Sequence, residues 1–437
     1  MIIRKDEKMQ ISINPAEKIE GQIRIPGDKS ISHRALLFSS LADDTIEVEG
    51  LLKSADTLST MNCLRKLGVE FEEEGEKIKV KGKGLRGLKE PDDVLDAGNS
   101  GTTARLLTGL LAGQPFYSTL TGDVSLRKRP MKRITEPLHK MGAAISGRQN
   151  SELLPLSIRG YDLLPINYTL PLPSAQVKSA LLIAALYSRG ISEIIDYYST
   201  RDHTERMLQH LGAGIERKGK YHIVMKGPTR LKGDRIRIPG DISSAAFFIV
   251  AAVLAHRGEL YIENVGINPF RAGILEVLGA MGADIRILNK KEYNFEPVAD
   301  LLVKGRVKLK GTEIAGEMVP RLIDEIPVLA VAALFAEGDT VIRGAAELRV
   351  KESDRLKTIS LELQKMGAGI KELPDGLIIE GNAKLSGARC ESHGDHRIAM
   401  ALATAALFAE NETVINGAEA VEISFPGFFE LMNSLVS

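Results

Sequence analysis

Small polar residues stand beside basic ones at four points where an apolar, Ala- and Leu-rich stretch begins. These points are "GNSGTTARLL" with Asn99, Gly101 and Arg105, "PGDKSISHRALL" with Lys29, Ser30 and Arg34, "PSAQVKSALL" with Ser174 and Gln176, and "GDHRIAMAL" with Asp395 and Arg397. Backbone N–H groups at a helix start have no intrahelical partner and attract anions. Each stretch alone is equally typical of an ordinary capped helix. Four of them directed at one place would bind a strongly anionic ligand.

The stretch "SLRKRPMKR" concentrates positive charge in a short loop. It carries Arg127, Lys128, Arg129, Lys132 and Arg133 without a carboxylate. Such a run is usually a solvated face. The alternative is that it adds cations to the anion site indicated by the helix starts.

Carboxylates stand among cations in "LRVKESDRLK", which contains Lys351, Glu352, Asp354 and Arg355. This mixture suits proton transfer, and its alternative is a surface salt-bridge cluster at i,i+3 or i,i+4 spacing. Asp324 in "VPRLIDEIPVLAVAAL" precedes a very apolar helix. The local sequence favours an N-cap there, and the alternative is a catalytic base.

Two motifs suggest ligands only weakly. Gly82, Gly84 and Gly87 match GxGxxG after a strand, but neither an immediate apolar helix nor an acidic residue at the required distance follows. His393 and His396 in "SHGDHR" offer too few ligands for a metal centre. We therefore predict neither a dinucleotide nor a metal.

Composition restricts the class of protein. The chain has 437 residues, and Lys plus Arg balance Asp plus Glu at 57 each, so the overall positive charge typical of nucleic-acid binders is missing. The sequence shows neither a signal peptide nor an apolar run of transmembrane length. With two cysteines, expected to be buried rather than reactive, a disulfide scaffold is excluded. These features predict a cytoplasmic protein of two or three domains that binds neither nucleic acid nor membrane.

Two kinds of block recur along the chain. One is a Leu-rich helix stopped by glycine and followed by two strands, with C-cap candidates Gly68, Gly142, Gly212, Gly282 and Gly367. The other is an apolar Ala-rich helix followed by a strand, as in "LAVAALFAEGDTVIRG". The string "IRIPGD" occurs at 23–28 and at 236–241, with three repeat units between the copies and three after the second. We predict one domain at 28–239 and a second at 1–27 plus 240–437, whose incomplete last unit is closed by the N-terminal strands.

Read in order, "PGDKSISHRA", "GNSGTTARL", "RKRPM", "RVKESDR" and "GDHRIAM" resemble the 5-enolpyruvylshikimate-3-phosphate synthase family over essentially the whole chain. The resemblance implies an α/β fold of α+β type, with two similar domains of three βαβαββ-like units each (an inside-out α/β barrel), joined by two crossover linkers. It implies transfer of the enolpyruvyl group of phosphoenolpyruvate to the 5-hydroxyl of shikimate 3-phosphate in an interdomain cleft, a step of chorismate and aromatic amino-acid biosynthesis. It also implies a monomer without metal or organic cofactor.

The resemblance assigns roles to individual residues. The residues expected to bind shikimate 3-phosphate are Lys29, Ser30, Arg34, Ser174, Ala175, Gln176, Arg201, Asp324 and Lys351. The residues expected to bind phosphoenolpyruvate are Lys29, Asn99, Gly101, Arg129, Gln176, Arg355 and Arg397. Asp324 matches the family's base near the 5-hydroxyl, while Glu352 and Lys29 match the groups that move the proton at the methylene carbon.

Three positions bear on specificity. Ile423 stands where one branch of the family has a lysine, Ala175 replaces a common serine, and Gly101 leaves room in the phosphoenolpyruvate site, so we expect glyphosate to compete with phosphoenolpyruvate. The alternative is the related UDP-N-acetylglucosamine enolpyruvyl transferase family. That family has Lys-Asn where this chain has Lys29-Ser30, and it has a cysteine in the loop that is "SLRKRPMKR" here.

Overall fold

The computed structural model describes residues 9–305 and 307–436. The chain divides into two compact units. Unit 1 runs up to Pro26 and continues through Gly240–Lys291 and from Pro297 onward, and unit 2 comprises Gly27–Pro239 and Glu292–Glu296. Each unit has its own apolar core.

Each unit alternates buried helices with helices that are apolar on one face. The helices of unit 2 are α1 (Lys29–Leu41), α2 (Ala55–Lys66), α3 (Gly101–Ala112), α4 (Lys132–Lys140), α5 (Arg148–Ser151), α6 (Ala175–Ala185) and α7 (His203–His210). Those of unit 1 are α8 (Ile242–Leu254), α9 (Gly273–Ala280), α10 (Val319–Leu322), α11 (Ile326–Leu334), α12 (Arg355–Lys365), α13 (His396–Ala406) and α14 (Phe428–Asn433). Helices α3, α6, α8, α11 and α13 are mostly apolar and almost wholly buried, as expected for helices inside a core. Across the described ranges, none of the helices is long and apolar enough to span a lipid bilayer.

Three small sheets in unit 2 share one pairing pattern. Their strands are β3 (Thr45–Glu49), β4 (Glu70–Glu74), β5 (Lys77–Lys81), β6 (Leu95–Asp96), β7 (Tyr117–Thr121), β8 (Ala144–Gly147), β9 (Leu153–Arg159), β10 (Asn167–Thr169), β11 (Gly190–Ile195), β12 (Gly214–Lys218), β13 (His222–Gly227) and β14 (Arg235–Arg237). The strand orders are β14-β3-β5-β4, β6-β7-β9-β8 and β10-β11-β13-β12. In each sheet the first pair is parallel and the other two pairs are antiparallel.

Unit 1 repeats the pattern and completes it with the N-terminal segment. Its strands are β1 (Gln10–Ile13), β2 (Gly21–Arg24), β15 (Glu259–Gly266), β16 (Asp284–Tyr293), β17 (Glu296–Lys304), β18 (Glu313–Ile314), β19 (Thr340–Ile342), β20 (Ile370–Leu373), β21 (Gly376–Ile379), β22 (Arg389–Glu391) and β23 (Thr413–Asn416). The orders are β16-β17-β15-β2, β18-β19-β21-β20 and β1-β23-β22. The predicted closure of the last unit is confirmed for β1, which pairs antiparallel with β23. It was wrong for β2, which pairs parallel with β15 instead.

The glycines predicted to stop helices are confirmed. Gly68, Gly142, Gly212, Gly282 and Gly367 follow α2, α4, α7, α9 and α12 and have φ values between +80° and +103°. An L-residue with a side chain rarely adopts this left-handed conformation. The same backbone device therefore ends the partly exposed helix of five repeats.

The strand in each "IRIPGD" segment pairs with a strand that follows the helix after the other segment. β2 precedes α1 in the sequence but pairs with β15, which follows α8. Conversely, β14 precedes α8 but pairs with β3, which follows α1. The N–H of Asp28 donates to the carbonyl of Pro239 at 2.8 Å, and the N–H of Asp241 donates to the carbonyl of Pro26 at 3.0 Å. The first of these hydrogen bonds lies within unit 2 and the second within unit 1.

Both cysteines are buried in the apolar cores. Cys63 lies in α2 and Cys390 in β22. Burial raises the pKa of each thiol to about 12, with a smaller contribution from Asp96 beside Cys63 and from Glu362 beside Cys390. Because the thiolate is the reactive form, we expect neither thiol to react with an aromatic disulfide reagent at about pH 8 in the folded protein. Both should react in denaturant, whereas one fast thiol in the native protein would contradict the burial.

Candidate active site

The starts of α3 and α6 carry a connected set of polar side chains in unit 2. Arg105 donates through Nη1 to Oε1 of Gln176, and Nε2 of Gln176 donates to Oγ1 of Thr102 at 3.0 Å. Arg129 donates through Nη2 to Oδ1 of Asn99 at 2.7 Å. Two guanidinium groups are therefore held beside these helix starts, where backbone N–H groups also favour an anion.

Gly101 separates these guanidinium groups from the helix backbone. A Cβ atom at position 101 would lie 3.3 Å from Nη1 of Arg105 and 3.6 Å from Nη1 of Arg129. Ser100 caps α3, since its Oγ accepts from the N–H of Thr103 at 3.2 Å. The glycine thus keeps the space between the helix start and the two cations open.

The loop "SLRKRPMKR" contributes unequally. Arg129 turns back onto Asn99, whereas Lys128 is exposed and Lys132 pairs with Glu152 at 2.6 Å. Part of this loop is therefore a solvated surface, as the sequence also allowed. Arg129 is the residue of the loop that joins the polar side chains at the start of α3.

The start of α1 places Lys29 beside the start of α2. Asp28 caps the helix by accepting from the N–H of Ile31 at 2.8 Å. Lys29 in the first turn pairs with Asp56 at 3.1 Å. The carbonyl of Asp56 accepts from Oγ1 of Thr103 at 3.3 Å, which links the start of α2 to the start of α3. Lys29 is therefore connected to the α3 site through Asp56.

Arg34 is buried on α1 and held by uncharged oxygens. It donates to Oγ1 of Thr204 and to Oγ of Ser179, both at 2.7 Å, and to the carbonyl of Ser30 at 2.8 Å. Burial lowers the pKa of Arg34 to about 10, although the charges of Glu205 and Asp28 oppose this shift. None of these three acceptors is a carboxylate. The three hydrogen bonds therefore hold the Arg34 cation in place without neutralising its charge.

The remaining predicted residues of unit 2 lie near this set. Ser174 caps α6 by accepting from the N–H of Val177 at 3.3 Å, and Ala175 and Gln176 form the first turn of α6. The positive charge of Arg201 acts in the same direction as burial and lowers the pKa of Arg34. Gln176 is the residue of the α6 start that reaches α3, through Thr102 and Arg105.

Asp324 in unit 1 is surrounded by cations. Its side chain lies 3.3 Å from Nη1 of Arg355 and 3.8 Å from Nζ of Lys351. Arg397 and Arg271 approach it at 3.9 and 4.0 Å. Glu325, not Asp324, occupies the N-cap position of α11, and it makes no capping bond with its side chain. The N-cap interpretation of Asp324 was therefore wrong.

Glu352, Arg355 and Asp395 form a chain of charges in which Arg355 and Asp395 are buried. Arg355 is 1% exposed and contacts Glu352 at 2.7 Å and Asp395 at 2.8 Å. Burial alone would lower the pKa of Arg355, but Asp395 and then Glu352 outweigh it and raise that pKa. Burial would likewise raise the pKa of Asp395, and Arg355 instead holds it below its usual value. The i,i+3 pair is real, but because Arg355 is buried the surface-cluster interpretation was wrong.

Arg397 is oriented differently from Arg355. Its Nη1 donates to the backbone carbonyl of Asp324 at 3.0 Å, while its nearest approaches to the carboxylates of Asp324 and Glu325 are 3.9 and 3.7 Å. These two distances exceed that of a hydrogen bond. Arg397 is thus placed by a backbone contact and lies in a negative environment without being bonded to a carboxylate there.

The two histidines of "SHGDHR" belong to other interactions. His393 contacts Glu362 through Nε2 at 2.7 Å, and His396 is buried in the first turn of α13. Within residues 9–305 and 307–436, no cluster of His, Cys, Asp and Glu could hold a metal ion. The structure gives these histidines no metal-ligand arrangement there.

Sequence reasoning missed the partners that hold these side chains. Asp56, Ser179 and Thr204 support Lys29 and Arg34, and Glu325 and Arg271 stand behind Asp324. The only signal for Glu325 was its place beside Asp324 before an apolar helix. The partners of Arg34 carry no charge, so a search for charged motifs overlooks them.

The fold is that of an enolpyruvyl transferase. The enolpyruvyl transferase NikO from Streptomyces tendae matches with a TM-score of 0.79 over 98% of this chain and 97% of that one, at 18% identity, which shows the fold alone. EPSP synthase from Acinetobacter baumannii matches with a TM-score of 0.88 and 44% identity over 98% of both chains. The family model of EPSP synthase (3-phosphoshikimate 1-carboxyvinyltransferase) covers residues 13–432.

Curated relatives agree with the structural match. A 3-phosphoshikimate 1-carboxyvinyltransferase of Pelotomaculum thermopropionicum is 53% identical over 97% of this chain and 98% of its own length. Another, of Desulforamulus reducens, is 51% identical over 98% of this chain and 100% of its own length. This chain belongs to the EPSP synthase family. The sequence-based recognition is confirmed, and the UDP-N-acetylglucosamine alternative is left as a distant relative.

Proposed function

We propose that this enzyme transfers the enolpyruvyl group of phosphoenolpyruvate to the 5-hydroxyl of shikimate 3-phosphate and releases phosphate. Membership of the EPSP synthase family supports the reaction. The observation that carries the residue assignment is the setting of Asp324, a carboxylate within 4.0 Å of a lysine and three arginines. A base surrounded by cations suits a reaction between two multiply charged anions.

Two groups of cations suit the two anionic substrates. Lys29, Arg34 and Arg201 would bind shikimate 3-phosphate together with the α6 start, Ser174 to Gln176, and with Ser30, Lys351 and Asp324. Arg129, Asn99 and Gly101 would bind the phosphate of phosphoenolpyruvate, and Arg355 and Arg397 would bind its carboxylate, with Lys29 and Gln176 also in contact. Both units supply residues to this set, so we expect the reaction to require both.

The proposed chemistry is an addition followed by an elimination. Asp324 takes the proton of the 5-hydroxyl while the hydroxyl oxygen bonds to C2 of phosphoenolpyruvate. Glu352 or Lys29 delivers a proton to C3, which becomes a methyl group. The group that delivered this proton, Glu352 or Lys29, then takes a proton back from the methyl group of the tetrahedral intermediate, and the bond from C2 to the phosphate oxygen breaks. Phosphate leaves with the proton that Asp324 had taken, and the enol ether forms. Cations close to both phosphates stabilise the charge that develops in each step.

Phosphate release tests this proposal directly. The purified chain should release phosphate only when phosphoenolpyruvate and shikimate 3-phosphate are both present, and replacing the latter with UDP-N-acetylglucosamine should abolish release. The rate should be unaffected by a metal chelator. Release with the nucleotide sugar in place of shikimate 3-phosphate would contradict the assignment.

We also propose that the chain works as a monomer in the cytoplasm, without nucleic-acid partners. Family resemblance supports the monomer, and the balance of 57 basic and 57 acidic residues supports the lack of nucleic-acid binding. Sedimentation at assay concentration tests the first statement, and a salt titration of RNA binding tests the second.

Adding one methyl group at position 101 should weaken phosphoenolpyruvate binding. In Gly101→Ala the new Cβ lies 3.3 Å from Nη1 of Arg105, so that guanidinium group must shift by a few tenths of an ångström, and the Cβ also contacts Nη1 of Arg129 at 3.6 Å. We expect the KM for phosphoenolpyruvate to rise about 3- to 30-fold, as for a loss of 1–2 kcal/mol of binding. Glyphosate should compete with phosphoenolpyruvate in the parent enzyme and less strongly in the variant.

Steady-state kinetics at several glyphosate concentrations check this prediction. Gly279→Ala in α9 serves as the control for an added methyl group, because a Cβ at that glycine would meet no atom within 4 Å and the glycine has no positive φ. An unchanged KM for phosphoenolpyruvate in Gly101→Ala would contradict the role given to Gly101.

A further inference from the structure

A second layer of charge lies behind Asp324 in unit 1. Glu325 is fully buried, and both of its carboxylate oxygens accept from Nη1 of Arg271, at 3.0 and 3.2 Å. Ser243, in the first turn of α8, donates to the same carboxylate and accepts from Arg271. Glu325 thus joins two segments that are distant in the sequence.

The same carboxylate faces the arginine that is expected to bind phosphoenolpyruvate. Nη1 of Arg397 lies 3.7 Å from Glu325 and donates to the carbonyl of Asp324 at 3.0 Å. Arg271, in turn, approaches the carboxylate of Asp324 at 4.0 Å and that of Asp241 at 3.6 Å. Glu325 is therefore placed between two arginines, and both of these arginines also contact Asp324.

We infer that Glu325, held by Arg271 and Ser243, is a positioning residue that orients the Arg397 guanidinium toward the phosphoenolpyruvate carboxylate. The carboxylate of Glu325 lies 3.7 Å from Nη1 of Arg397, close enough to attract the cation. At this distance it forms no hydrogen bond, so a ligand would have none to break. Arg355, in contrast, is bonded directly to Asp395 and Glu352. The two arginines assigned to the same ligand carboxylate are thus held in two different ways.

This inference gives the second "IRIPGD" segment a part in the site. Asp241 at its end caps α8 by accepting from the N–H of Ser243 at 2.8 Å, which sets the first turn of that helix and with it the hydroxyl of Ser243. The stretch "ISSAAFF" that follows Asp241 carries no charged residue of its own. The structure shows that the helix start meets Arg271 and Glu325.

The inference rests on the proposed function. It is tested by comparing how each variant changes the KM for phosphoenolpyruvate and how it changes kcat. The Glu325→Gln substitution keeps the shape of the side chain but removes its negative charge, so the side chain at position 325 no longer attracts the Arg397 guanidinium. We expect the KM for phosphoenolpyruvate to rise at least about tenfold, while kcat and the KM for shikimate 3-phosphate stay within about threefold. Glu325→Asp, which keeps the charge, should restore part of the affinity, and Ser243→Ala should raise the same KM by a smaller factor.

A matched control is available in the same unit. Glu362 is also a fully buried carboxylate, and it pairs with Lys365 and His393 rather than with the residues around Asp324. Glu362→Gln should lower the thermal midpoint without changing the KM for phosphoenolpyruvate. If Glu325→Gln and Ser243→Ala behave like Glu362→Gln, Glu325 is structural and the inference is wrong. If the parent enzyme itself releases no phosphate from the two substrates, the proposed function fails instead.

Discussion

The variant Glu352→Gln should lose at least about two orders of magnitude in kcat, and Asp324→Ala should lose at least as much, because general acid and base groups contribute on this scale. Glu352 is a quarter exposed and pairs with Arg355, so its carboxylate is both anchored and accessible to a ligand. Asp324 faces Lys351 and Arg355. Removal of either carboxylate takes away a proton carrier and leaves the neighbouring cations in place.

Phosphate release under saturating substrates measures this loss. Glu410→Gln is the control, since Glu410 is an exposed glutamate in the same unit, outside the charge cluster. It should keep the parent rate. Both carboxylate variants should also keep the thermal midpoint within a few degrees, because Arg355 keeps Asp395 as a partner, and Arg271 and Arg397 keep Glu325. If neither variant lost two orders of magnitude, the assignment of acid and base would be wrong.

Arg355→Met should be the most damaging substitution for stability as well as for activity. Arg355 is 1% exposed and compensates Asp395, which is fully buried, and it also contacts Glu352 and Asp324. Breaking a buried ion pair from one side typically costs about 3–5 kcal/mol, because a buried charge remains without compensation. We therefore expect a fall of this size in the free energy of unfolding, together with loss of saturation by phosphoenolpyruvate.

Two further variants separate the stability effect from the catalytic effect. Adding Asp395→Asn to Arg355→Met should recover part of the stability, since the uncompensated charge is removed, without recovering activity. Arg349→Met is the matched control, because Arg349 pairs with Asp354 and Glu372 but is 26% exposed. An exposed pair contributes about 0–1 kcal/mol. Equal losses in urea unfolding for Arg349→Met and Arg355→Met would contradict the importance given to the chain of charges.

Local features of the site could be predicted from the sequence because their causes are local. A serine before a glycine at position 101 caps α3 within one turn, and Gly68 ends α2 through its own backbone conformation. Such preferences act over a few residues. The helix starts with their cations, and the glycines after the helices, therefore followed from short stretches of sequence.

The partners of these residues could not be predicted, because they come from distant segments. Asp324 has the local features of an N-cap, but in the folded chain Glu325 takes that position, and Arg271 and Arg397 approach Asp324 from distant segments. The alternating pattern of β2 predicts a strand but does not name β15 as its neighbour. Strand pairing depends on which apolar faces meet in the folded core.

The pairing of β1 with β23 affects the order in which the chain can fold during synthesis. Gln10 and Asn416, which are hydrogen-bonded partners in these strands, are separated by 406 positions. At about 5–20 residues per second, roughly 20 to 80 s pass between the synthesis of the two strands. All strands of unit 2 lie between Thr45 and Arg237 and emerge in that interval. β1 thus leaves the ribosome before every strand of unit 2 but must wait for β23, and unit 2 can complete its sheets in the meantime.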